Sequence, residues 1–191
     1  MAPAGRGDSL GRGARDRILA AAGELFARQG FNATRINDLH VAARVSKRTL
    51  YQHFDSKGDL ILAYLATYGR AGPTEAVLTR EDLAPRTRLL EIFTALADPE
   101  SVVPDPIVAA AIEFPDRQHP VHRAATDQVQ RFTGRLTGLA RAAGARNPER
   151  TARRLATLYD GACCRLLLED VTTVVEDVYV MAAAILRDAI D

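Results

Sequence analysis

Apolar residues recur along this chain at helical spacing, and no segment keeps up the alternation of a half-buried strand. From about Ala14 to Gln29, Ile18, Ala22, Leu25 and Phe26 fall at i, i+4, i+7 and i+8, which predicts an amphipathic helix. Gly30 is placed to close it in a left-handed cap, and Phe31 to fold back on the core. Thr34 then reads as the cap of a second helix burying Ile36, Leu39 and Ala43. After a very short turn Ser46 opens a third, in which Leu50 and Phe54 stand four apart and share a face. Ser56-Lys57-Gly58-Asp59 has the form of a capping box with Asp in the Glu position. It starts a longer helix carrying Leu60, Ile61, Tyr64, Leu65 and Tyr68, which Gly69 and Gly72-Pro73 end or weaken.

The remainder is helical too, with marked starts. Pro85 suits a first turn ahead of Leu89, Leu90, Ile92, Phe93 and Leu96, and Pro104 and Pro106 precede a short apolar helix from Ile107 to Phe114. Pro120 opens a long helix through Val129, Phe132, Leu136 and Leu139, closed by Gly144. Asn147-Pro148-Glu149 combines an N-cap, a first-turn proline and an acid, and begins a helix to about Glu169. Thr173-Val174-Val175-Glu176 is a further capping box, opening a last helix. Both final helices carry apolar stripes too broad for one buried face. Pairing of this hairpin with its copy in a four-helix bundle is therefore favoured over burial within one subunit. The expected dimer interface is Leu155, Leu158, Ala162, Leu166, Val175, Val178, Ala182 and Ile185. The fold class is all-α: an N-terminal three-helix helix-turn-helix domain and a C-terminal helical domain.

Composition refines this picture at two points. The formal net charge of the 191 residues is +1, but residues 1–60 hold ten Lys and Arg against six Asp and Glu, whereas residues 61–191 hold fifteen against eighteen. A basic head on a mildly acidic body fits a nucleic-acid partner for the head alone. Cys163 and Cys164 are adjacent, and neighbouring helical side chains diverge by about 100°, so they form no disulfide framework. The first residues lack the apolar run of a signal peptide, and Val178–Leu186 falls short of the roughly 20 residues that span a bilayer, so a cytoplasmic protein without membrane attachment is expected. Residues 1–11, rich in Gly, Ala and Arg, read as a disordered arm, 12–58 as the DNA-binding domain, and 59–191 as the helical body.

The candidate chemistry lies in Ser46-Lys47-Arg48-Thr49-Leu50-Tyr51-Gln52-His53-Phe54. Lys47 and Arg48 put two cations in a first turn, where the helix dipole disfavours them, which points to an anionic partner. One face anchors the helix and the other is dense in groups that reach phosphates and base edges, as a recognition helix requires. No catalytic constellation, phosphate loop or reactive-cysteine context is present, so no enzyme and no cofactor are expected. His119 and His122, three apart, with Asp116 and Glu113 upstream suggest a metal site. Pro115 and Pro120 interrupt that register, and a turn bonded to its own backbone is favoured over a metal.

The stretch Thr34–Leu62 resembles the TetR family of bacterial transcription repressors, through Asp38-Leu39, Val45-Ser46-Lys47, Thr49-Leu50-Tyr51, His53-Phe54 and Ser56-Lys57. The resemblance implies a homodimer whose two heads enter successive major grooves of a near-palindromic double-stranded DNA operator. It assigns Tyr51, His53 and Lys57 to the phosphate backbone. Lys47, Arg48, Thr49 and Gln52 match positions facing bases or nearby phosphates, and Arg35 and Asn37 the groove edge. It also implies a body enclosing a small-molecule effector, for which Tyr64, Tyr68, Phe93, Phe114, His122, Phe132 and Tyr159 are the candidates, in a mostly apolar cavity. Two positions depart from the family pattern: His40 stands where a small Ala is usual, and Arg44 where the turn usually has Gly. The implied function is a ligand-responsive repressor. An effector-independent regulator, or a helical small-molecule binding protein or enzyme, are the alternatives.

Overall fold

The computed structural model describes residues 7–67, 73–98 and 105–190, and for 7–12 the backbone alone. Its described elements are all helical: α1 Gly7–Gln29, α2 Ile36–Ala42, α3 Lys47–His53, α4 Lys57–Thr67, α5 Pro73–Leu78, α6 Pro85–Thr94 with a 3-10 turn Ala95–Ala97, α7 Pro106–Glu113, α8 Pro120–Ala142, α9 Pro148–Arg165 and α10 Val171–Ile190. The chain forms two compact units, Met1–Thr67 with Pro106–Ala125, and Tyr68–Asp105 with Thr126–Asp191. This division differs from the single cut after residue 58 expected from sequence. α4 buries Leu60, Ile61 and Leu65 and packs on α1, and residues 106–125 also belong to the first unit.

In the first unit α1 packs against α2, α3 and α4. Its start at Gly7 lies inside the stretch expected to be a disordered arm, while residues 1–6 lie outside the described residues. Gly30 has φ +82° and donates to the Phe26 carbonyl at 2.9 Å, the left-handed cap that its sequence position demanded. Thr34, expected to cap α2, has another task. Its hydroxyl donates to the Gly30 carbonyl at 2.6 Å and accepts from Gln29 Nε2 at 3.2 Å, closing the turn after α1. The N-cap of α2 is Arg35, whose side chain makes no capping bond. Asp59 N–H donates to Ser56 Oγ at 3.0 Å, half of the expected box, and the Ser56 hydroxyl turns to the Asp59 carboxylate.

In the second unit α10 packs on α9 and α6, and α5 on α6. The core joins Leu89, Ile92, Phe93 and Leu96 to Leu136 and Ala140, Leu155 and Ala162, and Val174, Val178, Ala182 and Leu186. Gly144, at φ +84°, ends α8 with the Ala145 N–H on the Ala140 carbonyl at 3.0 Å. Asn147 caps α9 through the Arg150 N–H at 3.0 Å, with Pro148 in the first turn. For α10 the cap is Asp170 instead of Thr173: Asp170 Oδ1 accepts the Thr173 N–H at 3.1 Å, which puts Thr173 inside the first turn.

The hairpin of α9 and α10 corrects the expected dimer interface. Leu155, Ala162, Leu166, Val178 and Ala182 are buried within the one chain, so they have almost no surface left for a partner. Their stripe was broad because it serves the subunit's own core, against α6 and α8. Leu158, Val175 and Ile185 are only partly covered, and Leu168, Val180 and Met181 are exposed at 85%, 67% and 52%.

Candidate nucleic-acid interface and effector pocket

Seven residues make up α3, about 10 Å of helix. Ser46 begins it in an extended conformation, its Oγ accepting the Thr49 N–H at 2.9 Å and sharing a 2.8 Å bond with the Thr49 hydroxyl. Leu50 is fully buried and Phe54, at the far end, is buried too, with the Arg15 guanidinium 5.3 Å from its ring centroid. These anchors fix which face of α3 looks outward. Lys47, Arg48, Tyr51 and Gln52 are exposed on that face, and Thr49 and His53 are half-buried. Among the described residues no ion pair engages Lys47, Arg48 or Arg35, so no described carboxylate neutralises the cations at the start of α3. Arg35 and Asn37 are exposed at the beginning of α2.

The turn between α2 and α3 accommodates both departures noted above. Arg44 takes φ +51°, a left-handed conformation costing a non-glycine residue about 1 kcal/mol. The Val45 N–H reaches back to the His40 carbonyl at 3.0 Å, and His40 is half-buried while Leu39 and Ala43 are buried.

Lys57 is placed differently from its expected phosphate role. Its ammonium donates to the carbonyls of Phe31, Asn32 and Thr34 at 3.0, 3.1 and 3.1 Å, so all three protons have acceptors inside the protein. On the other side of the same turn Glu113, at the end of α7, accepts the Phe31 and Asn32 N–H groups at 2.7 and 2.6 Å. No periodicity announces a bond between residues 82 positions apart; the only local sign was a glycine followed by an aromatic.

The other candidates around Glu113 are also bound to backbone. His122 Nδ1 lies 2.8 Å from the Phe114 carbonyl oxygen, His119 Nδ1 accepts the Val121 N–H at 3.2 Å, and Asp116 accepts the Gln118 N–H at 2.9 Å. The His119 ring stacks on Phe114 at 4.6 Å. This is the self-bonded turn favoured from sequence, and among the described residues no group of three or more His, Cys, Asp or Glu is arranged to hold a metal.

Six of the seven effector candidates are described, three in each unit. Tyr64, Phe114 and His122 belong to the first unit, where Tyr64 and Phe114 both pack on Phe31 at 6.3 and 6.2 Å. Phe93, Phe132 and Tyr159 meet in the second unit, the Tyr159 ring lying 6.2 Å from Phe93 and 5.0 Å from Phe132. Tyr68 lies outside the described residues. Sequence reasoning missed the polar partners of this trio: the Tyr159 hydroxyl bonds Thr74 at 2.8 Å, with Cys163 and Asp105 nearby. Burial, ahead of the neighbouring Cys163, raises the phenol above its ordinary range. Burial and then Asp105 and Asp160 push the Cys163 thiol up to about 12. Both groups are therefore neutral near pH 7. Separately, an open groove of about 1020 Å³ runs along α9 and α10, lined by Leu158, Val174, Met181 and Ile185 with Arg150, Arg153, Arg154 and Arg165.

A short capped helix, anchored on one face and presenting unpaired cations and amide groups on the other, behind a preceding helix and a tight turn, defines a helix-turn-helix DNA-binding protein. Comparison with known proteins gives the family. The family model for bacterial regulatory proteins of the tetR family matches residues 18–64. The HTH-type transcriptional activator FasR of Mycolicibacterium smegmatis is 33% identical over 155 residues, 72% of this chain and 68% of that protein. The HTH-type transcriptional repressor NicS of Pseudomonas putida is 30% identical over 129 residues, 66% of this chain and 59% of that protein. The crystal structure of a TetR-family transcriptional regulator from Streptomyces coelicolor superposes with a TM-score of 0.83 at 30% identity, covering 94% of this chain and 97% of that one. The chain belongs to the TetR family of bacterial transcriptional regulators and has that family's all-helical fold, with an N-terminal helix-turn-helix and a C-terminal helical domain. No helix among the described residues is long and apolar enough to cross a membrane.

Proposed function

We propose that this regulator is a ligand-responsive repressor that binds a near-palindromic operator as a homodimer and is released by a small, mostly apolar molecule. The observation that carries the reading is the exposed, unpaired start of α3. Two cations held against the helix dipole without an internal counter-charge are stabilised when phosphate arrives. Lys47, Arg48, Thr49 and Gln52 then face base edges or nearby phosphates, Tyr51 and His53 the backbone, and Arg35 and Asn37 the groove edge. For Lys57 the internal bonds favour a structural role instead. The effector site is placed at Phe93, Phe132 and Tyr159, where neutral hydroxyl and thiol groups among aromatic rings suit an uncharged or weakly polar ligand. The partly covered Leu158 and Ile185, with exposed Met181, line one groove along α9 and α10 and form the face offered to a second copy.

The test is selection of bound duplexes from a random pool, followed by reporter transcription from the selected site. An inverted repeat with half-sites about one helical turn apart, and transcription that falls when the protein is added, are expected. A pool without enrichment overturns the reading. The similarity to the activator FasR favours a second reading, in which the same binding raises transcription, and the reporter separates the two by sign.

A further inference from the structure

We propose that Glu113 is a positioning residue for DNA binding: with Lys57 it clamps the turn between α1 and α2 from opposite sides and so sets the angle at which the helix-turn-helix is presented. The proposal rests on the DNA-binding reading above. Gly30 ends α1, and the next two N–H groups, of Phe31 and Asn32, point away from that helix. One carboxylate takes both, at 2.7 and 2.6 Å, while the Glu113 carbonyl accepts Asn32 Nδ2 at 3.3 Å. The carbonyls of the same two residues, and of Thr34, accept from the Lys57 ammonium. The Phe31–Asn32 peptide group is thus held at both ends, its N–H by the anion and its C=O by the cation, and there each polarises the bond that the other uses.

Three features give the clamp a consequence for α2 and α3. The turn leads straight into Arg35, the N-cap of α2, which has no side-chain cap of its own, so the entry of α2 is set by the turn. Lys57 opens α4, so its ammonium also ties the start of that helix to the turn. Gly30 is coupled to the clamp: its φ is left-handed, and a Cβ there would stand 2.7 Å from Glu113 Oε1, so the carboxylate would have to shift. Residues 106–125, which carry Glu113, are joined in sequence at both ends to segments of the second unit. A change in that unit therefore has a covalent route to the carboxylate.

The experiment measures affinity of the full chain for the duplex selected by the wild type, at a temperature where every variant is shown to be folded by circular dichroism. Glu113→Ala is expected to weaken binding on the order of tenfold, the size of one lost charge-assisted hydrogen bond. Glu113→Gln is expected between the two, since its amide offers one acceptor oxygen and turns a donor toward an N–H. The salt dependence of binding stays unchanged, because no cation is removed. Gly30→Ala weakens binding less in the Glu113→Ala background than alone, because the clash with Oε1 has gone. If Glu113→Ala fails to fold, Glu113→Gln carries the test, together with faster amide exchange at Phe31 and Asn32. Wild-type affinity in both Glu113 variants, or strictly additive effects with Gly30→Ala, overturns the clamp alone. Failure of the wild type to bind any duplex overturns the DNA reading and this proposal with it.

Discussion

Lys57 is where the sequence and the geometry make opposite predictions. Read as a phosphate ligand, its removal weakens binding to every duplex and makes the dependence of log K on log salt shallower by about 0.9. Read from its bonds, its removal orphans carbonyls of Phe31 and Thr34, both buried residues, and of the exposed Asn32, which water re-solvates. Hydrogen bonds to a charged group are worth about 1.5–3 kcal/mol, and three sharing one ammonium are far from additive, so about 2 kcal/mol is the expected loss. For a chain of this length that is a fall in Tm of roughly 4–8 °C. Lys57→Met keeps the aliphatic stem and isolates the charge. The assay is thermal denaturation by circular dichroism beside duplex binding at four or five salt concentrations. A lower Tm with an unchanged salt slope is expected. A slope shallower by about 0.9 with Tm held to within about a degree would refute the reasoning and restore the phosphate assignment.

Leu50→Ala removes the one fully buried side chain of α3 and should cost about 2–5 kcal/mol by urea denaturation, with duplex binding lost in step; a cost below about 1 kcal/mol contradicts the anchoring role. With its thiol raised to about 12, Cys163 is a thiolate in only about one molecule in 10⁴–10⁵ at pH 7.5, so a thiol reagent should label the exposed Cys164 quickly and Cys163 slowly. Two equally fast thiols would show that the Tyr159 cluster is open to water. Met181→Glu puts a charge into the groove along α9 and α10 and should shift the mass measured by light scattering from dimer to monomer, whereas an unchanged mass places the interface elsewhere.

Local signals carried the helix ends well. Gly30, Ser46, Gly144 and Asn147 each act through bonds to residues within a few positions, and Pro85 through its fixed φ in a first turn, so each does what its type and place required. Where two local partners competed, sequence alone did not decide. Thr34 had both the Gly30 carbonyl and α2 within reach and took the former, and Asp170 stood ahead of Thr173 as the cap of α10. The apolar stripes of α9 and α10 were legible as broad, but breadth does not say whether the second face meets another helix of the same chain or of a copy. Five of the eight residues assigned to the partner proved to be core. Long-range polar bonds left the least trace, since Glu113 and Lys57 look on paper like ordinary surface charges.

The charge asymmetry of the sequence acquires a physical meaning only when each charge is followed to its partner. In the acid-rich second unit Arg135 pairs with Glu75, Arg141 with Glu149 and Arg154 with Asp188, so much of its charge is answered internally. In the first unit the charges of Glu113 and Lys57 are turned onto the backbone of one turn. Among the described residues no ion pair engages Arg35, Lys47 or Arg48, which stand exposed. Exposed like charges on a helix as short as α3 repel one another and oppose its dipole, so the free head bears a modest electrostatic strain that anchoring by Leu50 and capping by Ser46 must outweigh. A polyanion relieves that strain and releases its own counterions at the same time, which makes affinity steep in salt.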